Sequence, residues 1–233
     1  LSDQYGFIKK YPEQWLWGDG TGDITKTSNL LFFRDKYLGK FDFVTSDCGL
    51  ETSKRIDYFT QELKMSHTNF CQILISLITL KIGGATILKF FFPFSEPLTV
   101  SMIYLLTLSF KFVYITKPIT SSATNNEIYF VCIDKEKHLS QSNLDFLFRF
   151  NDNFSYKKFL FTEIDESFMD QLEMITRKFA DYQIEQLNII YQLYDIKIES
   201  VATQIQQSQK IFAKYWTQLN DFNYVNPNNF LHK

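Results

Sequence analysis

The stretch "FCQILISLITLKIGGATILKFF", Phe70–Phe91, changes its periodicity partway along, and that change decides the fold class. From Glu62 onward apolar residues fall at Met65, Phe70, Ile73, Leu74, Leu77 and Ile78, close to the 3.6-residue helical spacing. This predicts a helix over Glu62–Lys81, with Gly83–Gly84 as its stop. After the glycines, "ATILKFFF" is a short continuous apolar run, rich in β-branched and aromatic residues, that reads as a buried strand. A helix feeding directly into a buried strand is half of a crossover unit.

The same alternation extends in both directions. Upstream, "FDFVTSD", Phe41–Asp47, is a buried strand closed by the turn residues Asp-Cys-Gly. Downstream, "LTVSMIYLLTLSF" returns to helix after Pro97, and "KFVYIT" and "EIYFVC" are two further strands. Strand, helix, strand, helix, strand order favours an α/β sheet with parallel strands and right-handed crossovers. The last two strands have only the polar loop "KPITSSATNN" between them, so they are placed to pair antiparallel. From about Glu166 to Phe222 the chain is rich in Gln, Lys, Glu and aromatics at helical spacing, which predicts two or three helices packed on the sheet or on a partner. Heptads are not sustained there, which argues against a coiled coil.

With 233 residues, 45% of them hydrophobic, the chain can bury a substantial core. Its formal charge of -2 provides no general attraction for nucleic acid, so any such contact depends on local lysines. Cys48, Cys71 and Cys132 are scattered and odd in number, as expected of reduced thiols in an intracellular protein, and with the three histidines they form no zinc-spaced set. The longest apolar runs are too short to span a bilayer. Leu1-Ser2-Asp3 carries neither an initiator Met nor a signal pattern, so the chain is expected to be a piece of a longer protein.

Several polar residues sit where apolar or small ones would be more comfortable. "WGDGTGDITKTSNL", Trp17–Leu30, has turn chemistry but neither nucleotide-binding glycine fingerprint; it reads as a surface turn, or as a loop presenting Asp23 to a ligand. Asp47 ends a strand at the edge where open α/β sheets bind ligands, although a turn aspartate accounts for it equally well. Lys89 lies inside an apolar strand and must either snorkel or meet a carboxylate. Glu127 opens a strand placed to lie beside it, so Asp47, Lys89 and Glu127 can converge at one rim. Such a cluster suits a lysine that acts on a hydroxyl nucleophile, or a structural set of ion pairs.

In this order and spacing, "GDGTGDITKTSNL", "FDFVTSDCGL", "FCQILISLITLKIGGATILKFF", "IYLL" and "YITKPITSSATNNEIYFVC" resemble the FtsJ-like, S-adenosylmethionine-dependent RNA ribose 2′-O-methyltransferases. The likeness covers about Trp17 to Cys132, is strongest to the cap-1 mRNA branch, and is nearest to versions carried by large cytoplasmic DNA viruses. It implies a Rossmann-like methyltransferase core with an antiparallel last strand, as a partial domain over residues 1–135, and a C-terminal helical extension over 136–233. It further implies methyl transfer to a ribose 2′-hydroxyl at the mRNA 5′ cap, with a non-catalytic capping or transcription scaffold and a ribosomal or transfer RNA enzyme as alternatives.

By motif position Asp47, Lys89 and Glu127 match three members of the family's Lys-Asp-Lys-Glu tetrad, with Lys89 steering the hydroxyl. Asp23, Ile24 and Asp47 match cofactor positions for S-adenosylmethionine, and Lys117, Ser121 and Asn125 match RNA-facing loop positions. No metal is implied. The expected partners are RNA and, through the C-terminal helices, a capping or transcription protein; the expected location is cytoplasmic, in a viral factory or virion. Two departures stand out. The family's glycine-rich loop and first lysine have no counterpart in Leu1–Trp17, and Ser122-Ala123 replaces the family's Arg-Pro. A serine offers one neutral hydroxyl where the arginine would offer a charged fork.

Overall fold

The computed structural model describes residue 3 and residues 5–49, 60–118, 120–194 and 198–220. Leu50, the last residue of one of the quoted motifs, lies outside the described residues. The chain divides into two compact units, Leu1–Ile184 and Glu185–Lys233.

The first unit opens with a short helix α1 (Phe7–Lys10), a single 3-10 turn (Pro12–Gln14) and α2 (Thr27–Tyr37). There follow β1 (Phe41–Ser46), α3 (Gln61–Thr79), β2 (Leu80–Phe91), α4 (Pro97–Thr107), β3 (Phe110–Thr116), β4 (Glu127–Lys135) and α5 (Gln141–Asp152). The helix α6 spans Glu166–Leu193, and α7 (Ile198–Leu219) belongs to the second unit. No helix among the described residues is long and apolar enough to cross a membrane.

The four strands form one sheet in the order β1-β2-β4-β3. β1 and β2 are parallel, and β4 is antiparallel to both β2 and β3, so three parallel strands have one reversed strand inserted among them. The expected antiparallel pairing through the polar loop is therefore present, and β4 lies beside the strand that carries Lys89.

Alternation assigns the two faces. Leu88, Phe90, Ile128, Phe130 and Cys132 point into one core with α3, α4 and α5, where Phe70, Leu74, Leu77, Ile103, Leu106 and Leu147 are buried. All six apolar positions predicted for the α3 face are buried. Removing such side chains from water is the main favourable term, about 1.5–3 kcal/mol for each large aliphatic or aromatic group. The opposite face carries Phe43, Phe112, Tyr114 and Ile133, all exposed, and Lys89 lies on this face near its end.

The end of α3 departs from the sequence reading. The helix stops at Thr79, and Gly83–Gly84 lies inside β2 instead of terminating the helix. Tertiary partners satisfy the last carbonyls: Gly39 N donates to Ile78 O (3.0 Å), Lys40 N to Thr79 O (2.8 Å), and Lys135 Nζ to Leu77 O (2.5 Å) and Leu80 O (2.8 Å). With its end capped from outside, the helix needs no left-handed glycine. Gly83, at φ 79, and Gly84 instead make the irregularity where β1 approaches; a Cβ on Gly84 would lie 3.1 Å from Asp42 O.

Two further caps come from distant residues. Glu62 of α3, 5% exposed, accepts from Ser95 N (3.1 Å), Ser95 Oγ (3.1 Å) and Glu96 N (2.9 Å), placing a carboxylate at the start of α4. α5 falls in the span read as a helical extension, ahead of the helices delimited from Glu166; Ser140 Oγ caps it by accepting from Asn143 N (3.2 Å), and Leu144, Leu147, Phe148 and Asn151 form its buried face.

Candidate active site

Parallel strands leave their carboxyl ends along one rim, and the loops there are where open α/β sheets hold ligands. β1 ends at Ser46, so Asp47 is the first residue beyond it, and β2 brings Lys89 alongside. The Lys89 ammonium is ion-paired with the Asp47 carboxylate and also lies 3.4 Å from Asp47 O. The lysine side chain is 13% exposed whereas that of Asp47 is 69% exposed, so the pair is anchored from the lysine side and reachable from the aspartate side. The turn behind it is held by Cys48 N donating to Gln72 Oε1 of α3 (2.9 Å). A Cβ at Gly49 would lie 3.8 Å from Lys89 Nζ, an ordinary van der Waals contact, so the turn passes directly beside the ammonium. Burial pushes the neighbouring Cys48 thiol up, with Lys89 opposing and Asp47 adding to the shift.

Glu127 opens β4 as expected, but the structure puts Tyr129 between it and the lysine. In the antiparallel register Lys89 faces Tyr129 and Phe91 faces Glu127. The Tyr129 hydroxyl donates to Glu127 Oε1 in a short hydrogen bond. Burial, this bond, and the charges of Glu127 and then Asp47 all hold the phenol above its ordinary range, so it stays protonated as a donor. Among the described residues Glu127 makes no ion pair with Lys89; the row runs Asp47, Lys89, Tyr129, Glu127. Tyr129 is absent from the sequence reading, although it was findable. It is two residues past Glu127 on the same strand face, opposite Lys89 once β2 and β4 pair antiparallel.

The loop between β3 and β4 is held by its own polar residues. Lys117 Nζ donates to Asn125 O (2.9 Å), Asn125 Oδ1 (2.6 Å) and Glu127 O (3.0 Å), and burial lowers its pKa against the opposing charge of Glu127. Ser121 Oγ is 3.4–3.5 Å from the Asn125 amide, and Asn125 Oδ1 also accepts from Glu127 N (3.1 Å). Lys117, Ser121 and Asn125 are thus brought together, with their polar atoms turned on one another. Gln183 of α6 locks the loop from outside by donating to Thr124 O (3.0 Å) and Asn126 Oδ1 (2.9 Å).

Asp23 and Ile24 lie before α2. Because α2 and α3 both end beside Gly39–Lys40 at the amino rim, both start towards the carboxyl rim, on the same side of the sheet as Asp47. The segment is a self-bonded turn: Gly18, Gly20 and Gly22 have φ of 57, 92 and 67, and Asp23 Oδ1 accepts from Thr25 N (3.0 Å) and Thr25 Oγ1 (2.7 Å). Those bonds hold the Asp23 carboxyl below its ordinary value. Among the described residues nothing donates to its second oxygen. Ile24 packs on the core.

Asn151 of α5 fixes this turn to the body. Its Nδ2 donates to Thr25 O (2.8 Å) and Thr27 Oγ1 (2.9 Å), while Oδ1 meets His67 Nε2 (2.9 Å) and the Cys71 thiol (3.1 Å). No group of metal-ligating side chains occurs among the described residues.

Comparison with known proteins gives a consistent family. Residues 7–135 match the family described as FtsJ-like methyltransferase. The chain is 32% identical over 214 residues to an uncharacterized protein of Acanthamoeba polyphaga mimivirus, covering 86% of this chain and 27% of that one. It is 33% identical over 189 residues to the mouse cap-specific mRNA (nucleoside-2'-O-)-methyltransferase 2, covering 78% and 24%. It is 30% identical over 242 residues to a probable methyltransferase of African swine fever virus, covering 94% and 55%. The chain therefore spans from about a quarter to about half the length of these relatives.

Proposed function

The chain belongs to the FtsJ-like methyltransferase family, and on that premise we propose that it carries the catalytic rim of an enzyme that methylates a ribose 2′-hydroxyl of RNA, at the capped 5′ end of mRNA. Residues 1–135 are its share of the methyltransferase domain and 136–233 an extension. The observation that carries this reading is the Lys89–Asp47 pair, an ammonium held inside an apolar strand at the ligand-binding edge of the sheet, with a carboxylate partner that is 69% exposed.

S-adenosylmethionine fits the donor set. Asp47 keeps most of its carboxylate exposed to take the amino-acid ammonium, and Asp23 with its unengaged oxygen, next to apolar Ile24, suits the adenosine end. Bound there, the cofactor supplies a methyl group on a positively charged sulfur. Lys89 orients the 2′-hydroxyl and steadies the charge that grows on its oxygen as the proton leaves; Asp47 fixes the lysine; Glu127 fixes Tyr129, which walls the lysine on its other side. Location follows the RNA substrate, in the cytoplasm or a viral factory.

The test is methyl transfer to matched capped and uncapped transcripts by the protein carrying this chain, with and without Lys89→Ala. The expected result is transfer to capped RNA alone, lost in the variant while folding and cofactor binding persist. Undiminished transfer by the variant would overturn the role of Lys89, and equal transfer to uncapped ribosomal or transfer RNA would overturn the cap assignment. A scaffold without catalysis is the second reading, favoured by the inward-turned Lys117 and by Ser122-Ala123; cofactor binding without transfer to any RNA is its signature.

A further inference from the structure

A cavity of about 570 Å³ lies between the carboxyl end of β3, the start of the β3–β4 loop and α6, outside the Lys89 row. Its walls include Thr116, Lys117 and Ser121 on the sheet side and Lys178, Phe179 and Tyr182 on the helix, and among the described residues no Asp or Glu lines it. From these features we infer that it is a nucleotide subsite, taking one nucleotide of single-stranded RNA with its base against Tyr182 and its phosphate at Lys178. This rests on the RNA-directed reading above and adds to it a place outside the family match, since α6 begins beyond residue 135.

Charge, shape and rigidity all point to the same ligand. A cavity with two lysines and no carboxylate favours an anion. Lys117 is fixed by three acceptors, so its charge is a permanent part of the wall, whereas Lys178 has no ion pair among the described residues and remains available for a phosphate. Phe179 is partly buried against the core, and Tyr182, three residues on and lining the same cavity, is 43% exposed. An accessible aromatic face beside a cation is how single strands are held without sequence preference. The volume lies within the range of pockets that enclose small organic ligands, roughly 300–1,000 Å³, and is large enough for a nucleotide. Gln183, one residue beyond Tyr182, ties the loop to the helix, so the two walls keep their spacing before any ligand arrives.

The position also suits the chemistry. Thr116 is paired with Tyr129, and Tyr129 with Lys89, so the backbones at Thr116, on the cavity wall, and at Lys89 are two strand spacings apart, about 10 Å. One RNA strand can therefore enter the cavity while presenting a nearby ribose at Lys89.

The test measures binding of a fluorescent single-stranded oligouridylate to the full chain by anisotropy over a salt series, with transfer activity scored separately. Tyr182→Ala is expected to weaken binding on the order of tenfold, with Tyr182→Trp restoring it. Lys178→Gln is expected to lower the salt slope by about one phosphate contact. Parent-like affinity and salt slope in Tyr182→Ala and Lys178→Gln would overturn the subsite and leave the methyl-transfer reading standing. Loss of binding in these variants, with no methyl transferred to any RNA by the protein carrying this chain, would uphold the subsite and sink that reading. Tyr182 is a surface residue, and an unchanged thermal melt for each variant separates a lost contact from a lost fold.

Discussion

Lys89 and Lys135 stand on neighbouring antiparallel strands, β2 and β4, near opposite ends of the sheet, and the protein treats them in opposite ways. Lys135 is fully buried; its ammonium donates to Leu77 O, Leu80 O and His138 Nδ1 (3.2 Å), closing the carboxyl end of α3. Burial lowers its pKa to about 8, and the burial and positive charge beside His138 keep that ring neutral, ready to accept. Lys89 keeps a single carboxylate partner, that of Asp47, which is 69% exposed. A buried ammonium is tolerated when every proton has an acceptor, whereas a site lysine is left incompletely satisfied so that a ligand can complete it. The odd residue in the sequence, Lys89, is thus the less buried of the two, and the lysine that nothing in the sequence marks is the structural one.

The largest effect should come from breaking the structural lysine. Lys135→Ala leaves two helix-end carbonyls and His138 without their donor, and should cost about 3–4 kcal/mol, lowering Tm by roughly 6–12 °C in a thermal melt. Next is Lys89→Ala, which should reduce methyl transfer about a hundredfold or more, close to 2.7 kcal/mol on the barrier, while stability stays within about 0.5 kcal/mol. Equal loss of stability in both variants would erase the distinction between the two rims.

A pH series sharpens the same contrast. The folded pKa of Lys135 lies below the unfolded value near 10.5, so between about pH 8 and pH 10.5 the unfolded chain holds a proton that the folded chain has released. Stability contributed by this group therefore rises with pH across that window, by about 3 kcal/mol, and is lost as pH falls through 8. Denaturant melts should show the rise in the parent and a flatter profile in Lys135→Met. The smallest effect expected is at the other rim: Tyr129→Phe removes the donor to Glu127 and should slow transfer severalfold, roughly 1 kcal/mol, with no change in the pH profile of stability.

Much of this architecture was legible beforehand, because it is written in local periodicity. Met65, Phe70, Ile73 and Leu74 announce the buried face of α3, and the alternating runs around Val113 and Phe130 announce two strands that pair through a polar loop. Asp47 and Glu127 were placed correctly at strand ends for the same reason, since a carboxylate interrupts an apolar run at a definable position. The helix end at Thr79 was misread because glycines are the usual local signal for a stop, and here the stop comes from Gly39, Lys40 and Lys135, each distant in sequence. Lys117 was read as an RNA-facing position, and its hydrogen bonds to Asn125 are visible only in the folded loop.

By itself, then, the sequence determined the order and type of the central elements, the core face of α3, and the rim at which Asp47, Lys89 and Glu127 would gather, whereas β1, read as a buried strand, exposes Phe41 and Phe43 because no helix of the described residues covers that face. Those properties follow from side-chain spacing within single segments. Only the tertiary structure decided which lysine is buried, that Tyr129 stands between Lys89 and Glu127, and that Lys178 and Tyr182 of α6 face the end of β3. Such contacts join residues tens of positions apart, and they depend on strand register and helix packing, which no local pattern encodes.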